Sequence, residues 1–392
     1  MRHIREFDGL RGLLALWVYV AHAIESGPFW AATRHVHANG AVDVFIILSG
    51  FVIFYLLSRG EDYRTFITRR WFRLFPVFAA CFLIALVLYA SLGIQDELAF
   101  GIAGQDVKPH LIAHATMLHG VVPEEVLPHS ARAILPPAWS ISVEWQFYLI
   151  APLLFLLMTG RSWKALGIVV ALVALRVLHD IGRLGSIIPG LPETATFGME
   201  AFLPLKLEFF AVGAACCWLW LRLSLQEESR IPPWCILILL VGIGVAGPLR
   251  PAIAVWLAVF AIVLWANFGE PRAAAGAGQA TALFQCRGAQ FLGRISYPLY
   301  LLHLPVIVVM REFIHAIMPG LSPFAFQSVL MLTSLPISIA GAWTLHRFLE
   351  QPMIDLGKRV TRRANTSQPA DAAAGASSEQ EKSAACGGAL VH

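Results

Sequence analysis

The chain is 392 residues long, 57% hydrophobic and only 14% charged, where soluble domains carry roughly 25% charged residues. Its mean hydropathy is +0.67, which excludes an ordinary soluble protein and points to repeated passage through a bilayer. The net charge of +4 is no footprint of a nucleic-acid binder, because Lys and Arg stand in clusters between apolar runs, where they read as topology signals.

Apolar segments long enough to cross a membrane are predicted at about 10–27, 40–58, 74–93, 138–158, 165–180, 203–221, 234–248, 251–268, 289–311 and 325–346. The reading is therefore an all-α polytopic membrane protein with about ten transmembrane helices. The seventh span is short and broken by Gly242, Gly244 and Gly247. With the N-terminus inside, Arg59, Arg64, Arg69, Arg70, Arg73, Arg161, Arg222, Arg287, Lys358 and Arg359 are among the inner charges. Only Arg34, Lys108, Arg132, Arg183 and Arg250 are clear outer loop residues. The asymmetry predicts both termini in the cytoplasm.

The longest outer loop, 94–137, carries His110, His114, His119 and His129 and is expected to fold over the membrane surface. Residues 1–355 read as one integral-membrane domain. Residues 356–392 read as a basic, then disordered, cytoplasmic tail, Ala/Ser/Gln/Gly-rich from Asn365. The run LLALWVYV before Ala21-His22-Ala23 has the look of a signal peptide, but Glu6 and Asp8 stand where such a peptide is basic. Six cysteines show no CxxC spacing, and thirteen histidines show no HExxH. Neither a disulfide framework nor a metal site is expected.

Five constellations carry candidate chemistry. In the first span, Arg11 and His22 are eleven residues apart, three helical turns, so they share a face about 16 Å apart along the axis. Ionisable groups at such depth are costly and mark function unless they serve as anchors or interhelical bonds. The imidazole suits a base or acyl acceptor because it titrates near neutrality. In GAVDVFIILSGF, Asp43 stands near the outer end of the second span, at the level of His22, and either orients that ring or caps the surface. Ser49-Gly50 there reads as helix packing.

In YRTFITRRWFRLFP, an inner-loop segment, Arg69 and Arg73 are i, i+4 with Arg70 beside them. Three guanidiniums there suit a polyphosphate, with an anionic-lipid contact as the plainer alternative. In PPAWSISVEWQFYLIAP, Ser140, Glu144 and Tyr148 form one polar stripe, with Glu144 again near the depth of His22. In GRISYPLYLLHLP, Ser296, Tyr300 and His303 form a second stripe, with Tyr297 at its border. Two intramembrane histidines on polar stripes argue for a shared cavity. The residues do not choose between Asp43 and Glu144 as the carboxylate that partners His22.

Together FDGLRGLLALWVYVAH, GAVDVFIILSGF, RRWFRLFP, PPAWSISVEWQFY, GRISYPLYLLH and the terminal FLEQP run in order from residue 7 to 352. In this the chain resembles the acyltransferase 3 family of integral-membrane O-acyltransferases, which act on surface polysaccharides, nodulation factors and macrolides. The family usually has paired Phe where this chain has Phe45-Ile46. The resemblance implies transfer of an acyl group, usually acetyl, from cytoplasmic acyl-CoA to a hydroxyl of a glycan or glycoconjugate. Acyl-CoA (acetyl-CoA) is then a co-substrate rather than a tightly bound cofactor, and the partners are the acceptor and the lipid bilayer of the inner (plasma) membrane. It makes Arg11 and His22 the arginine–histidine pair of the active site, with Arg69, Arg70 and Arg73 holding the coenzyme. Glu144 and Asp43 join His22 as catalytic candidates, and Ser140, Tyr148, Tyr300 and His303 are candidates for substrate contact. A transporter of a lipid-linked sugar or polar solute is the rival from another class, although the two halves show no internal repeat. A macrolide-type small-molecule acyltransferase is the rival within the class.

Overall fold

The computed structural model describes residues 4–24, 38–93, 107–158, 164–184, 195–224, 239–244 and 250–366. Within them the chain is helical without strands. The long helices are α1 (Arg5–Ile24), α2 (Ala38–Leu57) and α3 (Tyr63–Leu92), then a short α4 (Val107–Ala115) and α5 (Trp139–Met158). There follow α6 (Lys164–Asp180), α7 (Leu203–Ser224), α8 (Pro251–Phe268), α9 (Pro271–Gln285), α10 (Arg287–Ile317), α11 (Pro323–Leu345) and α12 (Gln351–Thr366). Eight helices or helix runs among the described residues are long and apolar enough to span a bilayer. The predicted fifth span is α6, a helix of 17 residues. Of the predicted seventh, only 239–244 is described, and it is helical.

Local chemistry sets the helix ends. Asp62 caps α3, accepting from the Thr65 amide at 3.0 Å, and Gly93 closes it in the left-handed conformation at φ 62°. That cap moves one boundary: 63–73, expected as an inner loop, forms the first turns of a 30-residue helix, so its arginines are helical. Ser322 caps α11 ahead of Pro323. A π-helical turn, His346–Glu350, joins α11 to α12, whose run to Thr366 makes the first part of the expected tail helical. Residues 367–392 lie outside the described residues.

Two helix pairings organise the bundle: α1 lies along α10, and α2 lies along α7. Both depend on glycine. A Cβ on Gly293 of α10 would lie 2.1 Å from the Asp8 carbonyl oxygen of α1, and one on Gly213 of α7 would lie 1.9 Å from that of Ile47 on α2. Lipid gives helices no hydrophobic reason to associate, so such close approach supplies the dispersion contact that holds them. The packing expected of Gly50 is also met, since a Cβ there would come 2.4 Å from the Phe210 oxygen. Where the pairs meet, Phe7, Phe51, Trp256 and Phe260 form a buried aromatic cluster, with Phe7 and Phe51 edge to face at 5.0 Å.

Candidate active site

Four of these helices and α3 bring the polar stripes together. An interior cavity of about 70 Å³ is lined by Arg11 of α1, Ser49 of α2, Arg70 and Arg73 of α3, Glu144 and Tyr148 of α5, and Tyr300 of α10. That space suits a few waters or a short acyl group and is far too small for a nucleotide. Its charge is lopsided, with three guanidiniums lining it against the single carboxylate of Glu144. Nε of Arg11, and Nε and Nη1 of Arg70, are buried and find no hydrogen-bond partner among the described residues. Buried guanidinium donors are rarely left so, which marks the cavity as a place for an anionic or strongly accepting group.

Glu144 accepts from Ser49 Oγ at 2.9 Å and from the Tyr148 hydroxyl one turn further along α5. Ser140 Oγ donates to the Tyr300 hydroxyl at 2.9 Å, and that hydroxyl donates to the Pro137 carbonyl at 2.8 Å. The Tyr297 hydroxyl donates to the Leu74 carbonyl at 2.7 Å, tying α10 to the arginine-bearing helix. Both predicted stripes, Ser140–Glu144–Tyr148 and Ser296–Tyr300, thus line one cavity.

One turn past Tyr300, His303 is fully buried, and its Nε2 lies 3.1 Å from Nδ1 of His22. Each Nδ1 also faces a carbonyl four residues earlier in its own helix, Val18 at 3.0 Å from His22 and Leu299 at 3.2 Å from His303. The rings are tilted by 45° with centroids 5.1 Å apart.

Four predicted site residues, Arg69, Asp43, His22 and His303, stand outside the cavity lining. Arg69 does not line the cavity: it pairs with Glu61 and donates from Nε to Thr361 Oγ1 of α12 at 3.1 Å. The helix turns Arg70 and Arg73 inward instead, because i, i+3 neighbours share the face that packs toward α1 and α5. Asp43 lies 3.0 Å from Lys206 Nζ, a buried ammonium that also meets Glu200 at 2.7 Å and sits over the rings of Trp139 and Phe209. With Asp43 in that ion pair and Glu144 held by Ser49 and Tyr148, the ring found against His22 is that of His303, which the sequence reading had placed among substrate contacts. Neither histidine lines the cavity they were expected to share; sequence reasoning missed their direct contact and also the bond from Ser49 to Glu144. A serine in an otherwise apolar span was the sole signal for the latter. Glu350 lies 2.7 Å from His346 Nδ1 within the π turn.

The segment 107–138 folds onto the ends of α3 and α5. His114 and His119 stack face to face at 4.1 Å, with Phe82 4.8 Å from His114 and Phe78 6.0 Å from His119. His114 Nδ1 donates to the His110 carbonyl at 2.8 Å, and His119 Nε2 donates to that of Ala138 at 3.1 Å. Gly120 N donates to Ser142 Oγ at 3.0 Å, so this layer holds the start of α5, which carries Ser140 and Glu144. Burial pushes His114 down to about 4 and His119 well below the usual histidine range. Among the described residues no group of three or more His, Cys, Asp or Glu side chains is placed to hold a metal ion.

Fold and site define a class: a multi-pass helical membrane enzyme with a cationic cavity beside two histidines in contact, one of them fully buried. The chain belongs to the acyltransferase 3 family, whose "Acyltransferase domain" matches residues 4–343. It is 27% identical over 377 residues to acyltransferase MdmB of Streptomyces mycarofaciens, covering 90% of this chain and 92% of that protein. It is 26% identical to O-acetyltransferase OatA of Staphylococcus aureus and 23% identical to peptidoglycan O-acetyltransferase OatA of Listeria monocytogenes. Each of those matches covers 90% of this chain but only 57% and 56% of the OatA proteins. No solved structure matches the chain.

Proposed function

We propose that this membrane acyltransferase moves an acyl group, acetyl in the first instance, from cytoplasmic acyl-CoA to a hydroxyl of a glycan or glycoconjugate at the inner (plasma) membrane. The observation that carries the reading is the cavity itself: buried guanidinium donors without partners among the described residues, one carboxylate, and space for a short acyl group. Arg70 and Arg73 face the polar groups of the donor's pantetheine arm, and the nucleotide with its phosphates stays at the cytoplasmic mouth. Arg11, on the same helix face as His22 but about 16 Å from it along the axis, lines the entry of the donor. Glu144 keeps the guanidinium cluster aligned through charge and stays fixed by Ser49 and Tyr148.

His22 takes the acceptor's hydroxyl proton, or carries the acyl group between donor and acceptor. Carbohydrate as the acceptor class draws on the peptidoglycan named for the Listeria relative.

The test is His22→Ala in the full chain, with expression and thermal midpoint checked. Transfer of radiolabelled acetyl from acetyl-CoA to acceptors in membranes of the expressing host should vanish. Substantial retained transfer removes His22 from the chemistry and this reading with it. Label left on the wild-type protein in the absence of acceptor, and missing from His22→Ala, identifies the acyl-histidine route, and an unlabelled wild type identifies direct transfer.

A further inference from the structure

The two intramembrane histidines have a defined proton arrangement. A carbonyl oxygen only accepts, so the Val18 oxygen requires hydrogen on Nδ1 of His22, and the Leu299 oxygen requires it on Nδ1 of His303. With Nδ1 protonated, Nε2 of His303 carries a lone pair. That lone pair lies 3.1 Å from Nδ1 of His22 and accepts its proton, so the Nδ1–H of His22 is shared between Val18 O and His303 Nε2. The same tautomer makes Nε2 the basic nitrogen of His22. From two backbone carbonyls and one interhelical contact, both rings are assigned.

We infer that His303 is a positioning residue for His22, a neutral hydrogen-bond acceptor in the place where soluble nucleophile–histidine sets use a carboxylate. The inference rests on the reading of His22 as the base in acyl transfer. In that reaction the acceptor oxygen forms a bond to the thioester carbonyl carbon, and its proton passes to His22 Nε2. The C–S bond then breaks, and the same proton leaves His22 Nε2 for the departing thiolate. Throughout, Nδ1–H of His22 stays in place, and its bond to His303 strengthens while His22 is an imidazolium.

An ionised partner at this depth brings its own desolvation cost, which a neutral ring avoids. The geometry supports the role on His303's side as well. The ring is fully buried and held by its own Nδ1–H. Its reach to His22 follows from the glycine contacts that press α1 against α10.

The experiment compares His303→Ala, His303→Gln and His22→Ala by thiol release from acetyl-CoA, in membranes of the expressing host and with the purified full chain. Glutamine places an amide oxygen near the position of imidazole Nε2, so it accepts the same hydrogen bond but cannot shuttle a proton. The expected result is a fall in kcat of about tenfold or more for His303→Ala, with KM for acetyl-CoA unchanged, and recovery of most of that loss in His303→Gln. If alanine at 303 unfolds the chain, the folded glutamine variant decides by itself, since near-normal kcat supports an acceptor role and inactivity overturns it. A rise in KM at unchanged kcat would also overturn the inference and return His303 to substrate contact. Wild-type kinetics in His303→Ala beside an inactive His22→Ala would sink this inference alone, whereas an active His22→Ala would sink the proposed function.

Discussion

Acid should loosen the segment 107–138 before the spanning helices. His114 is 1% exposed and titrates at about 4, against about 6.5 in an unfolded chain. Above pH 6.5 both states hold a neutral ring and pH has no leverage. Between 6.5 and 4 the unfolded segment binds a proton that the folded one refuses, so stability falls as pH falls. At pH 5 the loss from this residue is about 2 kcal/mol, roughly a 30-fold drop in protection, and it reaches about 3 kcal/mol near pH 4. His119 and His110, both pushed down by burial, act in the same direction. The assay is amide hydrogen exchange of 107–138 in detergent at pH 7.5 and 5, corrected for intrinsic rates, with α1 and α10 as internal references. His114→Phe keeps a ring against Phe82 and His119 while removing the titrating group, so it should flatten much of the pH dependence. Equal protection at both pH values in the wild type, or an unchanged slope in His114→Phe, would refute the reasoning.

Arg70→Ala and Arg73→Ala should each raise the KM for acetyl-CoA by about 10- to 100-fold, the scale of a charged hydrogen bond worth about 1.5–3 kcal/mol. Arg69→Ala should leave that KM unchanged and lower the thermal midpoint, because its partners are Glu61 and Thr361; a common KM effect across all three would contradict the geometry. Lys206→Ala should cost about 3–5 kcal/mol by stranding the carboxylate of Asp43, and adding Asp43→Asn should restore much of it. Scanning fluorimetry reads both variants. Asp43→Asn that is fully stable yet inactive would move Asp43 from the ion pair into the chemistry.

The sequence by itself determined what short-range periodicity determines. Eight predicted spans stand as long apolar helices, and α6 as a shorter one. The stripe of Ser140, Glu144 and Tyr148, and that of Ser296, Tyr300 and His303, each fall on one face because an α-helix repeats every 3.6 residues. The shared face of Arg11 and His22 was legible for the same reason. Which stripe meets which was not, because that depends on contacts between helices far apart in the chain. Gly12 and Gly293 let α1 close on α10, and only this approach brings His22 to a histidine 281 residues later. The choice of Arg70 and Arg73 over Arg69 was equally tertiary. Glu61 and Thr361 claim one guanidinium, and the rotation of α3 against α1 and α5 turns the other two inward. Neither carboxylate named for His22 was free to be read from spacing, since Lys206 holds one and Ser49 with Tyr148 holds the other. Buried polar groups take the partners that packing brings within reach, and packing is a property of the whole bundle.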